Sequence, residues 1–289
     1  MRDITPETIT SAFARYAERA PSARARELLV ALAGHLHGFV RDHRVTHGEW
    51  QAAVSALTRA AAITDADRNE FILFSDLLGV SSLVDMVNAR ADATSSSVLR
   101  PFHVEAAPPL PDGGDLWRGQ AGEPLVVVGQ VADNAGRGVA GCVLDLWQTA
   151  GNGLYAQQDP AQPAMNYHAR LACAADGSFA LTTVRPMPYT VPDDGPAGDM
   201  LRALGREAWR PAHLHIIARA PGFAPLVTEL FPADDPWLDR DAVFGVRADL
   251  VLPFERMRDA RQLPAHLVAR DRLPSAFWVV RPELTLARV

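Results

Sequence analysis

Apolar residues recur at helical spacing through roughly the first third of the chain, and at a spacing of two from position 125 onward. Thr5-Pro6-Glu7 reads as a helix start, with a capping hydroxyl and a proline at the first helical position. Ile9, Phe13 and Tyr16 then share one face, and Leu28, Leu29, Leu32, Leu36, Phe39 and Val40 form a second stripe. Thr46-His47-Gly48-Glu49 has the spelling of a capping box ahead of Trp50, Val54 and Leu57. Thr64 reads as opening a further helix through Phe71, Ile72 and Phe74. Gly79 breaks the chain before another helical stretch, Ser81 to Asn88.

The character changes over residues 91 to 124, where Ser and then Pro and Gly dominate, as in Ala107-Pro108-Pro109-Leu110-Pro111-Asp112-Gly113-Gly114. Beyond it the alternation predicts strands over Leu125–Val131, Val139–Gln148, Ala169–Cys173, Phe179–Val184, His213–Ala220, Leu226–Leu230 and Phe277–Leu284. Asp176-Gly177 suits a hairpin turn between two of them. Many short strands with little helix predict a β-sandwich. The expected fold is α+β: a helical domain over residues 1–105, then a sandwich domain over 106–289.

Composition narrows the function. A net charge of -6 over 289 residues argues against a general nucleic-acid binder. The basic residues Arg24, Arg26, Arg41, His43 and Arg44 read as a solvated helix face. Two cysteines, Cys142 and Cys173, give no zinc-finger spacing. The charged start Met1-Arg2-Asp3 lacks an apolar signal-peptide core, and no apolar run is long enough for a bilayer, so a cytoplasmic protein is expected.

The candidate chemistry lies in the second half. His213 and His215 sit two apart on an expected strand, so both imidazoles face one side. His35 and His37 have the same spacing in a helical pattern, where they diverge by about 200°. Of four tyrosines, Tyr155 and Tyr189 fall where loops leave strands, a usual place for functional side chains. Tyr167 reads as a solvent-facing or half-buried aromatic. Alone, the histidines could be an ordinary buried and hydrogen-bonded pair, and the tyrosines could simply pack. If the four converge, two phenolates and two imidazoles form a hard anionic set that suits ferric iron better than zinc or ferrous iron. Arg210 is then either a surface ion pair or a fixed cation beside the metal, with Pro211 setting the backbone between it and His213. A zinc hydrolase built on the His pair lacks an evident third ligand. A non-catalytic sandwich that binds ligands through its tyrosines is the alternative from another class.

Several segments resemble the intradiol ring-cleavage dioxygenases. They are Leu144-Asp145-Leu146-Trp147-Gln148 running to Gly153-Leu154-Tyr155, Arg185-Pro186-Met187-Pro188-Tyr189 with Asp194-Gly195-Pro196, and Trp209-Arg210-Pro211-Ala212-His213-Leu214-His215. The stretch from Asp235 to Phe244 extends the likeness, and Glu70 to Ser81 resembles the family's helical linker domain. Within the family the hydroxyquinol-cleaving members are most similar, through Phe71–Asp76, Gly198–Trp209 and Asp241–Val246.

The resemblance implies one Fe(III) per subunit held by Tyr155, Tyr189, His213 and His215, with Arg210 and Tyr189 taking part in catalysis. It implies a substrate pocket near Leu73, Asp76, Val98, Pro101, Phe102, Val191, Pro192, Arg210 and Val243. Asp76 either accepts a hydrogen bond from a third substrate hydroxyl or caps a helix end. The implied reaction is O2-dependent cleavage of hydroxyquinol to 3-hydroxy-cis,cis-muconate or maleylacetate, with catechol or a chlorocatechol as the alternative substrate. A homodimer through the helical domain, with a phospholipid in an apolar tunnel, is also implied. Two positions depart from the family pattern. Arg100 replaces a glycine before Pro101-Phe102, and Glu229 replaces a glutamine or histidine, reading as a hydrogen-bonded carboxylate behind the metal ligands.

Overall fold

The computed structural model describes residues 3–65, 68–97 and 102–289. The helices are α1 (Ile9–Ala17), α2 (Ala23–Asp42), α3 (His47–Ile63), α4 (Glu70–Leu77), α5 (Val80–Asn88) and α6 (Pro196–Ala203). The strands are β1 (Pro109–Leu110), β2 (Gly114–Asp115), β3 (Pro124–Asp133), β4 (Val143–Gln148), β5 (His168–Ala172), β6 (Ser178–Val184) and β7 (Tyr189–Thr190). They continue with β8 (Trp209–Arg210), β9 (Leu214–Arg219), β10 (Leu226–Pro232), β11 (Val251–Leu252), β12 (Glu255–Met257), β13 (Phe277–Val280) and β14 (Glu283–Leu286). Helices thus precede a sheet-rich region, as the change of period predicts. The chain forms two compact units, Met1–Arg59 and Ala60–Val289.

In the first unit the capping box at α3 forms: the Glu49 carboxylate accepts from the Thr46 backbone N–H at 2.8 Å, and Thr46 Oγ1 accepts from Glu49 N–H at 3.2 Å. The start at Thr5 does not carry into a helix; α1 begins at Ile9, and Thr5 closes a turn by accepting from the backbone N–H groups of Thr8 and Ile9. The stripe on α2 exists, yet α2 has no buried residue, and Leu28, Leu32, Leu36 and Phe39 are all exposed.

In the second unit Thr64 does not open a helix. Its hydroxyl donates back to Ala60 O at 2.8 Å, and α4 is capped instead by Asn69, whose side chain accepts from Phe71 and Ile72 N–H. Gly79 separates α4 from α5 with φ of 73°. The short α6 went unpredicted. It starts at Pro196, and the fully buried Glu70 of α4 accepts from Ala197 N–H at its first turn, where a carboxylate is favoured.

Two sheets form the sandwich. One has the order β1-β5-β4-β9-β10-β11; the other has β12-β13-β3-β6-β2, with β14 also on β3. Leu144, Leu146, Leu214, Ile216 and Ala218 point between the sheets and pack with Leu125, Val127, Phe179 and Leu181. Truncating one of these leucines to alanine should cost about 2–5 kcal/mol. The alternate residues, Asp145, Trp147, His215 and Glu229, lie on the outer face of the first sheet and are nevertheless buried, because loops cover them.

Three strand expectations change. Val139–Cys142 is not strand, so β4 begins at Val143; and Pro282 lies in a break dividing the last strand into β13 and β14. The Asp176-Gly177 turn closes, with Ala174 N–H donating to Ser178 O, but it is not a hairpin. β5 pairs in the first sheet and β6 in the second, so the turn carries the chain between layers. Among the described residues no helix is long and apolar enough to cross a membrane.

Candidate metal centre

A row of four side chains crosses the outer face of the first sheet. His168 of β5 pairs with Trp147 of β4, Trp147 with His215 of β9, and His215 with Glu229 of β10. The register dictates the contacts, since directly opposed residues face each other across a sheet. The Trp147 ring stacks on His215 with centroids 4.4 Å apart and planes 5° from parallel. On its other side, His215 Nδ1 lies 3.4 Å from Glu229 Oε1. The ring is therefore fixed in plane and in rotation, with Nε2 directed away from the strand.

His213 is turned the same way by a different contact. Its Nδ1 lies 2.7 Å from Pro211 O, which fixes that nitrogen as the donor and leaves Nε2 as the lone-pair side. The two Nε2 atoms are 3.0 Å apart, and Tyr155 Oη is 3.0 Å from His215 Nε2. Tyr189 closes the group: its ring meets Tyr155 edge-on at 5.4 Å and His213 at 5.6 Å. All four candidate ligands predicted from the sequence thus meet at one place. Tyr155, His213 and His215 are buried, and Tyr189 is half-buried.

The tyrosine loops are held to each other. Thr149 Oγ1 donates to Met187 O and accepts from Met187 N–H, tying the end of β4 to the segment before Tyr189. Gly153, at φ of 80°, approaches Pro188 O so closely that a Cβ would lie 3.1 Å from it. β7 and β8 then pair so that Tyr189 stands opposite Arg210.

Arg210 is not a surface residue; it is 1% exposed. Its NH1 and NH2 donate to Glu229 Oε1 and Oε2 at 3.1 and 2.8 Å, and its Nε donates to Asp241 Oδ1 at 3.1 Å. NH1 also lies 3.2 Å from His213 Nε2, so the cation borders the point where the ligands meet. Burial alone would weaken its basicity, but Asp241 and Glu229 hold it well above the ordinary value. Asp241 carried no predicted role. It accepts from Val243 and Gly245 N–H, which builds the loop behind Arg210. Gly245 is needed there: a Cβ would lie 2.7 Å from Arg210 NH2 and 3.0 Å from Glu229 Oε2.

Electrostatics prepare the set for a cation. Burial, and next Arg210, depress the His213 imidazole to about 4, so at ordinary pH it is neutral, as a metal-binding imidazole must be. Burial, reinforced by Tyr189, pushes the Tyr155 phenol well above its usual value, so only a nearby cation would make it a phenolate. The expectation that no third ligand accompanies the His pair needs correction: His213, His215 and Glu229 do offer atoms within 4.8 Å of one another. Glu229, however, sits on the Nδ1 side of His215 and is forked by Arg210, which places it behind the ligands. A trivalent ion fits the charge. The ion and Arg210 would balance two phenolates, Glu229 and Asp241, before any solvent ligand, whereas zinc would leave buried negative charge.

Of the predicted pocket residues, Val191 and Val243 are buried in one cluster with Leu73 packed against it. Phe102 stacks on Tyr155 at 4.5 Å. Asp76 is buried and Pro192 exposed. Val98, Arg100 and Pro101 lie outside the described residues. Tyr167 is neither solvent-facing nor half-buried; at 2% exposure it belongs to the core between the sheets. Trp147 and His168 also went unpredicted, because they reach this face only through the pairing of β5 with β4 and of β4 with β9.

The family described as Dioxygenase matches residues 111–271, and that described as Catechol dioxygenase N terminus matches residues 22–96. A hydroxyquinol 1,2-dioxygenase of Rhizobium sp. (strain MTP-10005) is 41% identical, over 92% of this chain and 90% of that protein. A 6-chlorohydroxyquinol 1,2-dioxygenase of Cupriavidus pinatubonensis is 40% identical, over 90% of this chain and 95% of the relative. The crystal structure of hydroxyquinol 1,2-dioxygenase from Pseudomonas putida DLL-E4 superposes with a TM-score of 0.91 at 40% identity, covering 98% of this chain and 99% of that one.

Proposed function

The chain belongs to the intradiol ring-cleavage dioxygenases, and from that premise we propose that it cleaves hydroxyquinol (benzene-1,2,4-triol) with O2 between the adjacent hydroxyl-bearing carbons. The product is 3-hydroxy-cis,cis-muconate, or maleylacetate after tautomerisation. The observation that carries this reading is the meeting of His213 Nε2, His215 Nε2 and Tyr155 Oη, each 3.0 Å from the next.

Tyr155, Tyr189, His213 and His215 would hold one Fe(III). Such an ion supplies a Lewis acid and template for a chelating diol, and makes its ring reactive toward O2. The protein's own groups do the rest. His215 is kept in place by Trp147 and Glu229, and His213 by the Pro211 carbonyl. Tyr189 is the more accessible of the two phenols, so its Oη is the one that takes a substrate hydroxyl proton. Arg210, locked between two carboxylates, stabilises negative charge developing on the substrate ring. Asp76 accepts a hydrogen bond from the third hydroxyl and so favours a triol over a diol. Leu73, Phe102, Val191 and Val243 supply apolar walls, with Pro192 at the rim.

Residues 1–105 are proposed as a linker and dimerisation region. The exposed apolar stripe of α2 supports a homodimer and a lipid-lined contact, since such stripes are usually covered in solution. A cytoplasmic location fits a small aromatic substrate. Oxygen uptake across catechol, 4-chlorocatechol, hydroxyquinol and pyrogallol tests the reading. Hydroxyquinol should lead, and a tenfold preference for catechol would reassign the substrate. A colourless, iron-free protein from iron-replete cells would remove the reaction class itself.

A further inference from the structure

Phe102 has an unusual backbone for a bulky residue, with φ of 74° in the left-handed region. Something must hold it there, and two side chains converge on its carbonyl. His168 Nε2 lies 2.9 Å from Phe102 O, and Gln157 Nε2 donates to the same oxygen at 3.1 Å. His168 is 2% exposed, so burial, rather than a second hydrogen bond, keeps the ring from swinging away. The neutral ring carries one N–H; with that proton on Nε2 it donates to Phe102 O, and Nδ1, 3.0 Å from Asn166 O, then makes no hydrogen bond there. The Phe102 ring in turn lies almost flat on Tyr155, 4.5 Å away and tilted by 18°.

We propose that His168, assisted by Gln157, is a positioning residue that clamps the Phe102 carbonyl and so keeps the Phe102 ring over the Tyr155 phenol, setting the shape of the substrate side of the centre. This rests on the proposed dioxygenase function only for its catalytic consequence; the clamp itself is a property of the chain. The position follows from register. His168 stands opposite Trp147 in the row that ends at Glu229, so the strand order that orients His215 also places the clamp one strand beyond Trp147. Gln157, two residues after Tyr155, makes the clamp sense the phenol's own loop.

The test compares His168→Leu, which keeps bulk but removes the donor, with His168→Gln, which keeps an N–H donor, and with Gln157→Ala at an exposed position. Hydrogen exchange of the full chain, with or without metal, should quicken about tenfold across residues 102–105 in His168→Leu, the equivalent of one buried hydrogen bond. It should return near the parent rate in His168→Gln. In iron-loaded protein, His168→Leu should raise KM for hydroxyquinol about tenfold with kcat within about twofold, and shift the visible tyrosinate band. Gln157→Ala should move each readout in the same direction by less. Unchanged exchange in His168→Leu overturns the clamp whatever the activity. Quickened exchange with unchanged KM and band overturns its role toward Tyr155. A parent protein lacking colour and oxygen uptake refutes the dioxygenase reading and the role toward substrate, while the exchange result still decides the clamp.

Discussion

His215 and Glu229 stand directly opposite each other on adjacent antiparallel strands, with Nδ1 and Oε1 3.4 Å apart. The same carboxylate takes both terminal nitrogens of Arg210, so one side chain sets the orientation of an imidazole and of a guanidinium. A carboxylate behind a metal-bound histidine raises its donor strength and holds its ring.

Glu229→Ala removes both the charge and the oxygens that face His215 and Arg210. Iron retention against a chelator should fall about tenfold or more, and the visible band should move. A variant that keeps the parent's iron affinity and spectrum would show that Glu229 acts on Arg210 alone.

Tyr155→Phe takes away the phenol nearest His215 Nε2. The protein should lose most of its tyrosinate-to-Fe(III) absorption together with oxygen uptake, and far-ultraviolet circular dichroism should report an intact fold. Persistent full colour would transfer the ligand role elsewhere.

Gly245→Ala forces a methyl against the Arg210 clamp, where three polar atoms lie within 3.0 Å of the new carbon. Overpacking of this kind costs about 1–3 kcal/mol. Thermal unfolding should register the loss, and kcat should fall because Arg210 and Glu229 must part. A kinetically silent Gly245→Ala would mean that the clamp can yield.

The acid response of metal-free protein should carry a His213 signature. Its imidazole titrates near 4 when folded, against an ordinary 6.5. Above 6.5 it is neutral in both states and its contribution is full. As pH falls below 6.5 the unfolded chain binds a proton that the folded chain refuses, so stability declines until about 4 and then levels. At about 1.4 kcal/mol per pH unit the loss is on the order of 3 kcal/mol. Urea midpoints of the parent should drop more steeply between pH 6.5 and 4.5 than those of His213→Asn; parallel curves would contradict the assignment.

Asp76→Ala tests discrimination between triol and diol. The ratio of kcat/KM for hydroxyquinol over catechol should fall by about tenfold or more, as expected when a buried acceptor for a substrate hydroxyl is deleted. An unchanged ratio would return Asp76 to a purely structural place at the end of α4.

The parts visible in the sequence were those written in local patterns. A spacing of two was enough to bring His213 and His215 together, although β9 begins only at Leu214 and His213, just ahead of it, is held by the Pro211 carbonyl; the capping box at Thr46 and Glu49 formed as spelled. What stayed hidden depends on which strands become neighbours. Trp147 and His168 acquire their places only through the β5-β4-β9 order, and Asp241 only through a loop folded back on Arg210. Thr64 misled because a hydroxyl that caps one helix can equally bond backward to the helix before it. The Asp176-Gly177 turn has hairpin chemistry, and nothing local tells whether its two strands will share a sheet.

The alternation along β9 has a consequence for how this chain can vary. Leu214 and Ile216 fill the space between the layers while their neighbours, the two imidazoles, look outward. Sliding that strand by a single residue would exchange the two sets, sinking the imidazoles into hydrocarbon and presenting leucine and isoleucine to the phenols. Insertions are thus tolerable in the connecting segments but not between β8 and the end of β9, where chain length itself is a chemical specification.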